Sequence, residues 1–277
     1  MKAQVYIDTN VFLDFYQAAT DRLAVFQELS KRSPRVILTE QTVREFRRNR
    51  TARLSELARN IDKAAEISLF TTAIVQEIPE FSEWAKAKDD AKKHAKSIAA
   101  KIRGLVHDES GDPVYKEFEK LVSTAQVLPT TSKAINLARL RKQLGDPPTS
   151  PDRHSIGDEL IWETLKDGCK GDLVIVSRDR TFLENMGILK REFKSLKGRN
   201  LLHVTSHLRD ALSQIGEPSK EIDEAEKELH AQKIMKFSVD PEQCPKCGGR
   251  MEETGYEGSD GDEAWWMYCT KCGHEVF

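Results

Sequence analysis

Four acidic side chains stand next to predicted strands, where they could do chemistry together. Asp8 ends the apolar run Val5-Tyr6-Ile7, and Glu45 lies about one and a half turns into the helix after the second apolar run. Asp158 begins the helix before the third apolar run, and Asp179 follows that run. Because open parallel sheets bind ligands outside the carboxyl ends of their strands, we expect these acids to reach one rim.

Clustered carboxylates repel one another unless a cation lies between them. Oxygen ligands of this kind suit Mg²⁺ or Mn²⁺. Such an ion can activate a water molecule and neutralise charge on a phosphodiester. The acids therefore indicate a metal-dependent phosphodiesterase, although each one alone could be a helix cap, a turn residue or a solvated helix residue.

A second group of metal-ligand residues lies near the C-terminus. Cys244 and Cys247 form one C-x-x-C pair, and Cys269 and Cys272 form another after 21 intervening residues. This spacing is typical of a closed tetrahedral site for a structural Zn²⁺, and each pair resembles a zinc-ribbon knuckle. We predict a zinc ribbon over residues 241–277.

The sequence leaves open whether this ribbon binds nucleic acid or a protein. Trp265 and Trp266 could stack on nucleic-acid bases or fill the core of a small module. Acidic residues around them disfavour tight phosphate contact: Glu252, Glu253, Glu257, Asp260, Asp262 and Glu263. A protein partner or inhibitor at the ribbon is therefore an equally strong hypothesis.

The elements that must position the acids alternate between strands and helices. Apolar runs at residues 4–8, 35–38, 173–176 and 201–204 predict four buried strands. Unbroken apolar strands separated by helices indicate a parallel sheet that is covered on both faces. The charged stretch from about residue 61 to residue 127 shows helical periodicity throughout.

Charge and composition divide the chain unequally. Residues 1–213 carry 36 basic and 30 acidic groups, whereas residues 214–277 carry 7 and 15. We therefore predict a basic body over 1–213 that would meet any polyanion, an acidic helical connector over 214–240, and the ribbon. Arg47 and Arg50 in the body are candidates for binding the phosphates of a substrate.

The overall composition is that of a globular protein, with 39% hydrophobic and 32% charged residues among 277. No apolar stretch approaches the roughly 18 residues that a membrane span needs. Asp8 interrupts the one apolar run near the N-terminus, so a signal peptide is not expected. We predict a cytoplasmic protein.

Four segments resemble a known family. Residues 6–14, YIDTNVFLD, look like the opening of a PIN domain, and residues 39–46 are similar to the PIN segment whose helix carries the second acid. Residues 155–163, SIGDELIWE, resemble the third motif as it occurs in a large-PIN-like bacterial subfamily. Residues 174–182, VIVSRDRTF, resemble the fourth motif. The resemblance covers roughly residues 3–210.

The resemblance implies a PIN-like three-layer α/β/α fold with a central parallel sheet, here with a helical insertion at about residues 58–145. It also implies a metal-dependent endoribonuclease that leaves 5′-phosphate and 3′-hydroxyl ends. The matching acids, which would bind one or two Mg²⁺ or Mn²⁺ ions, are Asp8, Glu45, Asp158 and Asp179.

Other positions follow from the same resemblance. Asn10 and Ser177 match supporting polar positions of the family. Arg178 stands where the family often has a small or polar residue, and we expect it to contact a phosphate. Glu159 and Asp172 are alternative acids if the motifs align differently.

Three functions are compatible with these patterns. The first is an RNA-cleaving enzyme, in a toxin or defence setting. The second is a catalytically silent PIN scaffold that binds RNA or a protein partner, and the third is a structure-selective DNA nuclease. The presence of all four acids favours an enzyme, and the oligomeric state is left open.

Overall fold

Five short strands run parallel in one sheet: β1 (Gln4–Ile7), β2 (Val36–Thr39), β3 (Gln126–Leu128), β4 (Leu173–Val176) and β5 (Leu201–Thr205). Their order across the sheet is β3-β2-β1-β4-β5. β2 and β4 are buried at every position, as expected for apolar strands covered on both faces. The central pairing is in register, with Val5 opposite both Val36 and Val174.

This description comes from a computed structural model, which describes residues 2–17, 23–64, 66, 72–150, 154–227, 244, 249–257 and 263–276. The chain divides into two compact units, residues 1–226 and 227–277. The division falls inside the predicted connector over 214–240. Residues 220–227 of that connector are helical, and residues 228–240 lie outside the described ones.

Besides the helical residues 220–226, the first unit contains the helices α1 (Thr9–Leu13), α2 (Leu23–Lys31), α3 (Glu40–Ala64), α4 (Ala73–Gln76), α5 (Glu80–Gly104), α6 (Pro113–Thr124), α7 (Ser132–Leu144), α8 (Gly157–Gly168), α9 (Arg180–Leu183), α10 (Met186–Lys197) and α11 (Leu208–Gln214). Helices α1, α2, α3, α6 and α11 cover one face of the sheet, and α8, α9 and α10 cover the other. The predicted three-layer α/β/α fold is confirmed.

The alternation of side chains along the strands creates the two cores. Val5 and Ile7 of β1 point into the core with α1, α2, α3 and α6, which contains a stacked pair of rings, Phe46 and Phe118. Tyr6 points into the opposite core, where Trp162 packs at an angle against Phe193. Successive residues of a strand face opposite sides of the sheet, so one short strand serves both cores.

The prediction of four strands was wrong by one, because β3 lies inside a stretch that was predicted to be helical throughout. β3 has three residues, and only Leu128 of these is fully buried. It pairs with β2, where Leu38 is opposite Val127. A strand this short carries no periodicity of its own, and its pairing with a distant segment decides its conformation.

The predicted insertion begins inside the 25-residue helix α3 and contains α5, a second helix of 25 residues that packs against α3. Ala58 and Ala99 are completely buried, and their small side chains let the two helices approach closely. α5 ends at Gly104. The buried positions Phe46, Arg50, Leu54 and Ala58 recur every four residues and form the inner stripe of α3.

The second unit contains three antiparallel strands, β6 (Met251–Glu257), β7 (Glu263–Cys269) and β8 (Glu275–Val276), in the order β6-β7-β8. Met251 pairs with Cys269, so the hairpin begins next to a cysteine. The hairpin formed by β6 and β7 lies between the two cysteine pairs.

No helix in the described part of the chain combines the length and apolar character needed to cross a bilayer.

Candidate active site

The predicted acids lie at the edge of the sheet where the order of the strands reverses. From β1 the chain continues to β2 and β3 on one side, and it then crosses to β4 and β5 on the other. In open α/β sheets the crevice beyond the carboxyl ends of the strands at this point is the usual ligand site. Asp8 directly follows β1, and Asp179 comes three residues after the end of the neighbouring strand β4.

Three donors hold the buried carboxylate of Asp8. The backbone N–H of Thr9 donates to Oδ1 at 2.7 Å. The Ser177 hydroxyl and the Asn10 amide donate to Oδ2, at 2.6 Å and 2.9 Å. The Tyr6 hydroxyl adds a fourth and longer contact, to Oδ1 at 3.5 Å. Together these contacts fix the orientation of the carboxylate at the end of β1.

Glu45 reaches the same region from α3. Thr39, the last residue of β2, caps this helix by accepting a bond from the Thr42 N–H at 3.1 Å. One turn further along, the Gln41 amide donates to Glu45 Oε1 at 2.7 Å, and the Thr9 hydroxyl donates to Oε2 at 3.3 Å. Thr9 therefore connects the segment of Asp8 with the carboxylate of Glu45.

The start of α8 lies directly against Glu45. Gly157, the first residue of the helix, is so close that a Cβ atom there would lie 2.7 Å from Glu45 Oε1. The next residue is Asp158, which is half-buried in the first turn and does not act as the side-chain cap of α8. The glycine therefore lets the second and third acids approach each other.

Asp158 and Asp179 share a hydroxyl group. Thr181 Oγ1 lies 3.3 Å from Asp158 Oδ2 and 3.0 Å from Asp179 Oδ1. Asp179 also caps α9 by accepting a bond from the Thr181 N–H at 3.1 Å. Ser177 completes the chain of contacts, because its hydroxyl donates to Asp8 and accepts from the Asp179 N–H at 3.0 Å.

Asn10 joins the ends of β1 and β4. Its amide group binds Asp8, and its Oδ1 accepts a bond from the Arg178 N–H at 3.3 Å. The two residues that the resemblance singled out as supporting, Asn10 and Ser177, thus both contact Asp8. Neither has to bind substrate to hold that carboxylate in place.

Electrostatics place the four acids in one shared environment. Burial raises the pKa of Asp8 from 3.8 to about 6, hydrogen bonds from Ser177 and Thr9 oppose the rise, and the charges of Glu45 and Asp179 add to it. The pKa of the buried Tyr6 hydroxyl is raised well above its usual value, first by burial and then by the charge of Asp8. Tyr6 is therefore neutral, and it exchanges a 2.9 Å hydrogen bond with Thr42.

The acids are spaced too widely to enclose a small ion by themselves. Over the described ranges, with their gaps, three cysteines form the one group of three Asp, Glu, His or Cys residues whose ligand atoms lie within 4.8 Å of one another. Mg²⁺ commonly binds through one or two carboxylates and keeps several waters. The donor set therefore fits a partly hydrated hard cation.

Three arginines were predicted to bind phosphate: Arg47, Arg50 and Arg178. None of them places a free guanidinium group in the acid cluster. Arg47 forms two bonds with Glu119, at 2.8 Å and 3.0 Å. The Arg178 side chain forms an ion pair with Asp14.

Arg50 is 2% exposed, and its Nε donates to Asp112 at 2.7 Å. Its Nη atoms donate to the backbone carbonyls of Leu105 and Val106. This placement makes Arg50 an internal link between α3 and the segment before α6, which does not support the prediction that it binds substrate.

The two alternative acids point elsewhere. Glu159 is buried and accepts a 2.6 Å bond from the Thr149 hydroxyl, with the Lys142 ammonium 3.4 Å away. Asp172 precedes β4 at the opposite end of the sheet, where it accepts a bond from the Asn200 N–H at 2.8 Å. The arrangement supports Asp158 and Asp179 in their place.

Three contact residues of the site were not predicted. Thr9 and Gln41 hold Glu45, and Thr181 lies between Asp158 and Asp179. Thr181 had a sequence signal, because Asp179 is a capping residue type and a cap binds the residues that follow it. Gln41 also had one, because it lies four residues before Glu45 on the same helix. Thr9 had none, since its contact with Glu45 depends on how α3 is placed.

The second unit contains a compact cluster of sulfur atoms. Cys244, Cys269 and Cys272 have Sγ atoms within 4.8 Å of one another, and the Sγ atoms of Cys244 and Cys272 are 3.7 Å apart. Four sulfurs at the usual Zn–S distance of about 2.3 Å are about 3.8 Å apart in a tetrahedron. The three thiols therefore fit a tetrahedral metal site, and Cys247, the predicted fourth ligand, lies outside the described residues.

The turns around this cluster are those of a metal-binding knuckle. The Cys269 N–H donates to the His274 carbonyl at 2.8 Å, and the Gly273 N–H donates back to the Cys269 carbonyl at 2.9 Å. Gly273 has a φ of 66°, a left-handed conformation that favours glycine. A tight glycine turn therefore follows the second cysteine pair.

Comparison with known proteins identifies a family that agrees with the fold. No curated protein and no solved structure matches the chain significantly. A family model described as a PIN domain matches residues 5–182, which is more than half of the chain and includes all four acids. The chain therefore belongs to the PIN-domain family, whose members are generally nucleases that act on nucleic acid.

Proposed function

We propose that this protein is a metal-dependent endoribonuclease, and that Asp8, Glu45, Asp158 and Asp179 form its active site. One observation carries the proposal. Carboxylates from four separate segments converge at the switch point of the sheet and are joined by shared hydroxyl contacts. Negative groups that are brought to one rim of the sheet repel one another, and a bound cation would offset this repulsion.

The divalent cation, Mg²⁺ or Mn²⁺, would supply an activated water and neutralise charge on the phosphodiester. The protein keeps its ligands fixed. Ser177 and Asn10 hold Asp8 Oδ2, so that Asp8 cannot rotate, and Gln41 together with Thr9 holds Glu45. Such preorganisation lowers the cost of assembling the site when substrate binds.

The raised pKa of Asp8 supports this assignment. A carboxylate that is buried among other acids is costly to ionise, and a bound cation would reverse that cost. Asp8 therefore couples metal binding to pH, and cleavage is expected to weaken as the pH falls through about 6.

Hydrolysis by an activated water leaves a 5′-phosphate and a 3′-hydroxyl and does not use the ribose 2′-hydroxyl. RNA is proposed as the substrate because of the family resemblance, and the same chemistry would act on DNA. A toxin or defence role is the setting we infer for such an enzyme.

The cysteine cluster is proposed to bind one structural Zn²⁺ through Cys244, Cys247, Cys269 and Cys272. Four thiolates leave no open position, so this ion would take no part in cleavage. Its module is proposed to recruit a protein partner or inhibitor.

The test is cleavage of end-labelled single-stranded RNA and DNA of the same sequence in Mn²⁺, Mg²⁺ or EDTA. The wild type is compared with Asp158→Asn and Asp179→Asn, and Asp172→Asn serves as a control for loss of an acid elsewhere. We expect metal-dependent internal cleavage of RNA that both site variants lose and the control keeps. Preferential cleavage of DNA would mean that DNA, and not RNA, is the substrate. Inactivity with both polymers in both metals would favour a silent scaffold.

A further inference from the structure

The face of α3 that carries Glu45 continues as a strip of positive charge. Successive residues lie about 100° apart around the axis of a helix. Measured in this way, Glu45 lies within about 60° of Arg48. Three more cations also lie within this angle, so one face of the helix carries Arg44, Arg48, Arg59 and Lys63. We call these four cations the α3 basic strip. All four are exposed, and the Arg48 side chain is 68% exposed. The strip therefore begins beside one of the proposed site acids and leads away from it.

The charges of the strip are not balanced as on an ordinary solvated helix. Arg44 and Arg48 are four residues apart, and so are Arg59 and Lys63, so each pair places like charges next to each other. Like charges at this spacing destabilise a helix, whereas solvated helices usually alternate the two signs. Binding of an anion to this face would reduce the repulsion between the like charges.

Nearby acids do not neutralise the strip. Asp62 lies on the same face, but it forms an ion pair with Arg103 of α5. Arg48 lies 3.9 Å from Glu45 Oε1, which is a loose contact. Within the ranges that the structure describes, Arg59 and Lys63 have no ion-pair partner.

The surface between the two cation pairs is low and polar. Thr51, Ala52 and Ser55 occupy the same face between Arg48 and Arg59. Small side chains there let a bulky chain lie close to the helix while the longer cations reach its phosphates. No large apolar side chain of α3 stands in this path.

We propose that the α3 basic strip binds the RNA backbone on one side of the scissile phosphate, so that substrates must extend along this helix. This inference rests on the proposed function and deepens it. From Glu45 to Lys63 the helix spans about 27 Å at 1.5 Å per residue. A stacked strand that rises about 3.4 Å per nucleotide covers this distance with roughly eight nucleotides.

The test compares RNAs of 4 and 16 nucleotides on the full-length protein. The strip variant is Arg59→Gln with Lys63→Gln, because glutamine keeps the helix and removes the charge. The control variant, Lys2→Gln with Lys170→Gln, removes two exposed cations next to the first and fourth strands at the opposite end of the sheet. Dissociation constants are measured without added divalent cation over a series of KCl concentrations, and cleavage is measured in Mn²⁺.

We expect the strip variant to bind the 16-nucleotide RNA about tenfold more weakly at 0.15 M salt. Its slope of log K against log [KCl] should be shallower by about 1.4, since each single-strand phosphate contact contributes about 0.7. The 4-nucleotide RNA and the control variant should show neither change. Cleavage of the long RNA should fall by the same factor, and cleavage of the short RNA should not.

Equal binding of the long RNA by the wild type and the strip variant would overturn this inference while leaving the proposed function intact. An equal loss in the control variant would do the same, because it would mean diffuse attraction. If the strip variant loses long-RNA binding but the wild type cleaves neither RNA, the strip stands and the proposed function fails.

Discussion

Asp8 is the residue on which the site depends most, because it contacts residues from both central strand ends. Ser177 binds it from the end of β4, and Asn10 binds it from the start of α1. Its neighbours on the sheet leave it 6% exposed. At this depth, the charge state of a single carboxyl group influences both the stability of the fold and the affinity for a cation.

The first prediction concerns the pH dependence of stability. The pKa of Asp8 is raised to about 6 in the folded state, so the folded chain keeps a proton that the unfolded chain has already released. The stabilisation by this proton is complete below about pH 4 and is lost as the pH rises through 6. About two pKa units correspond to about 3 kcal/mol.

Asparagine is uncharged at every pH. The free energy of unfolding of Asp8→Asn should therefore rise by about 3 kcal/mol relative to that of the wild type between pH 4 and pH 7 in EDTA. Urea unfolding at several pH values measures this difference. A difference between variant and wild type that is constant over the range would show that Asp8 does not titrate in this way.

At the scale of elements, the site depends on how closely α8 approaches α3. Glu45 leaves no room for a side chain at Gly157, since a Cβ atom there would lie 2.7 Å from Glu45 Oε1. That oxygen is the end of a flexible side chain, so it can move away without disturbing the backbone. The close contact therefore matters for the position of an acid more than for folding.

The second prediction is that Gly157→Ala reduces metal-dependent cleavage by at least tenfold while the melting temperature changes little. Gly187→Ala is the matched control, because it also lies in the first turn of a helix and its Cβ would meet nothing closer than 3.9 Å. Activity and thermal unfolding are measured on both variants. Full activity in Gly157→Ala would mean that the position of Glu45 is not critical.

The third prediction distinguishes two of the arginines on α3, Arg47 and Arg50. Arg50→Met leaves Asp112 buried without its guanidinium, which should cost about 3–5 kcal/mol of unfolding free energy. Arg47→Met breaks an exposed pair with Glu119, and we expect a loss of less than about 1 kcal/mol. Urea unfolding distinguishes the two, and equal small losses would show that Arg50 is not an internal link.

Sequence patterns predicted what depends on local chemistry. The apolar runs of β1 and β4 and the acids that follow them were visible because strand ends on a parallel sheet meet at one rim. What depends on contacts between distant segments was not visible. Arg50 looked like a surface cation because its partner Asp112 is 62 residues away. β3 was not predicted because only its pairing with β2 identifies it as a strand.

At the scale of the whole molecule, the chain combines two units with different kinds of stability. The unit over residues 1–226 buries two large apolar cores on either side of a sheet. The described core of the unit over 227–277 is small and consists of two cysteines and two methionines, one of them partly buried. Small modules of this type usually need a metal ion to fold.

The fourth prediction is that the purified protein contains one Zn²⁺ per chain, and that a chelator unfolds the second unit while the first keeps its own unfolding transition. Cys269→Ser should lose the ion. Colorimetric zinc release and limited proteolysis measure the two effects. Protein that contains no zinc, and whose proteolysis pattern is unchanged by chelation, would contradict the assignment.

The central claim is that Asp8, Glu45, Asp158 and Asp179 together form one divalent-cation site, and Mn²⁺ titration tests it most directly. The free-ion signal in electron paramagnetic resonance is followed for the zinc-loaded wild type, Asp158→Asn, Asp179→Asn and the control Asp172→Asn. We predict that both site variants bind Mn²⁺ at least tenfold more weakly than the wild type, whereas Asp172→Asn binds it equally well. The same Mn²⁺ affinity in all four proteins would contradict the claim.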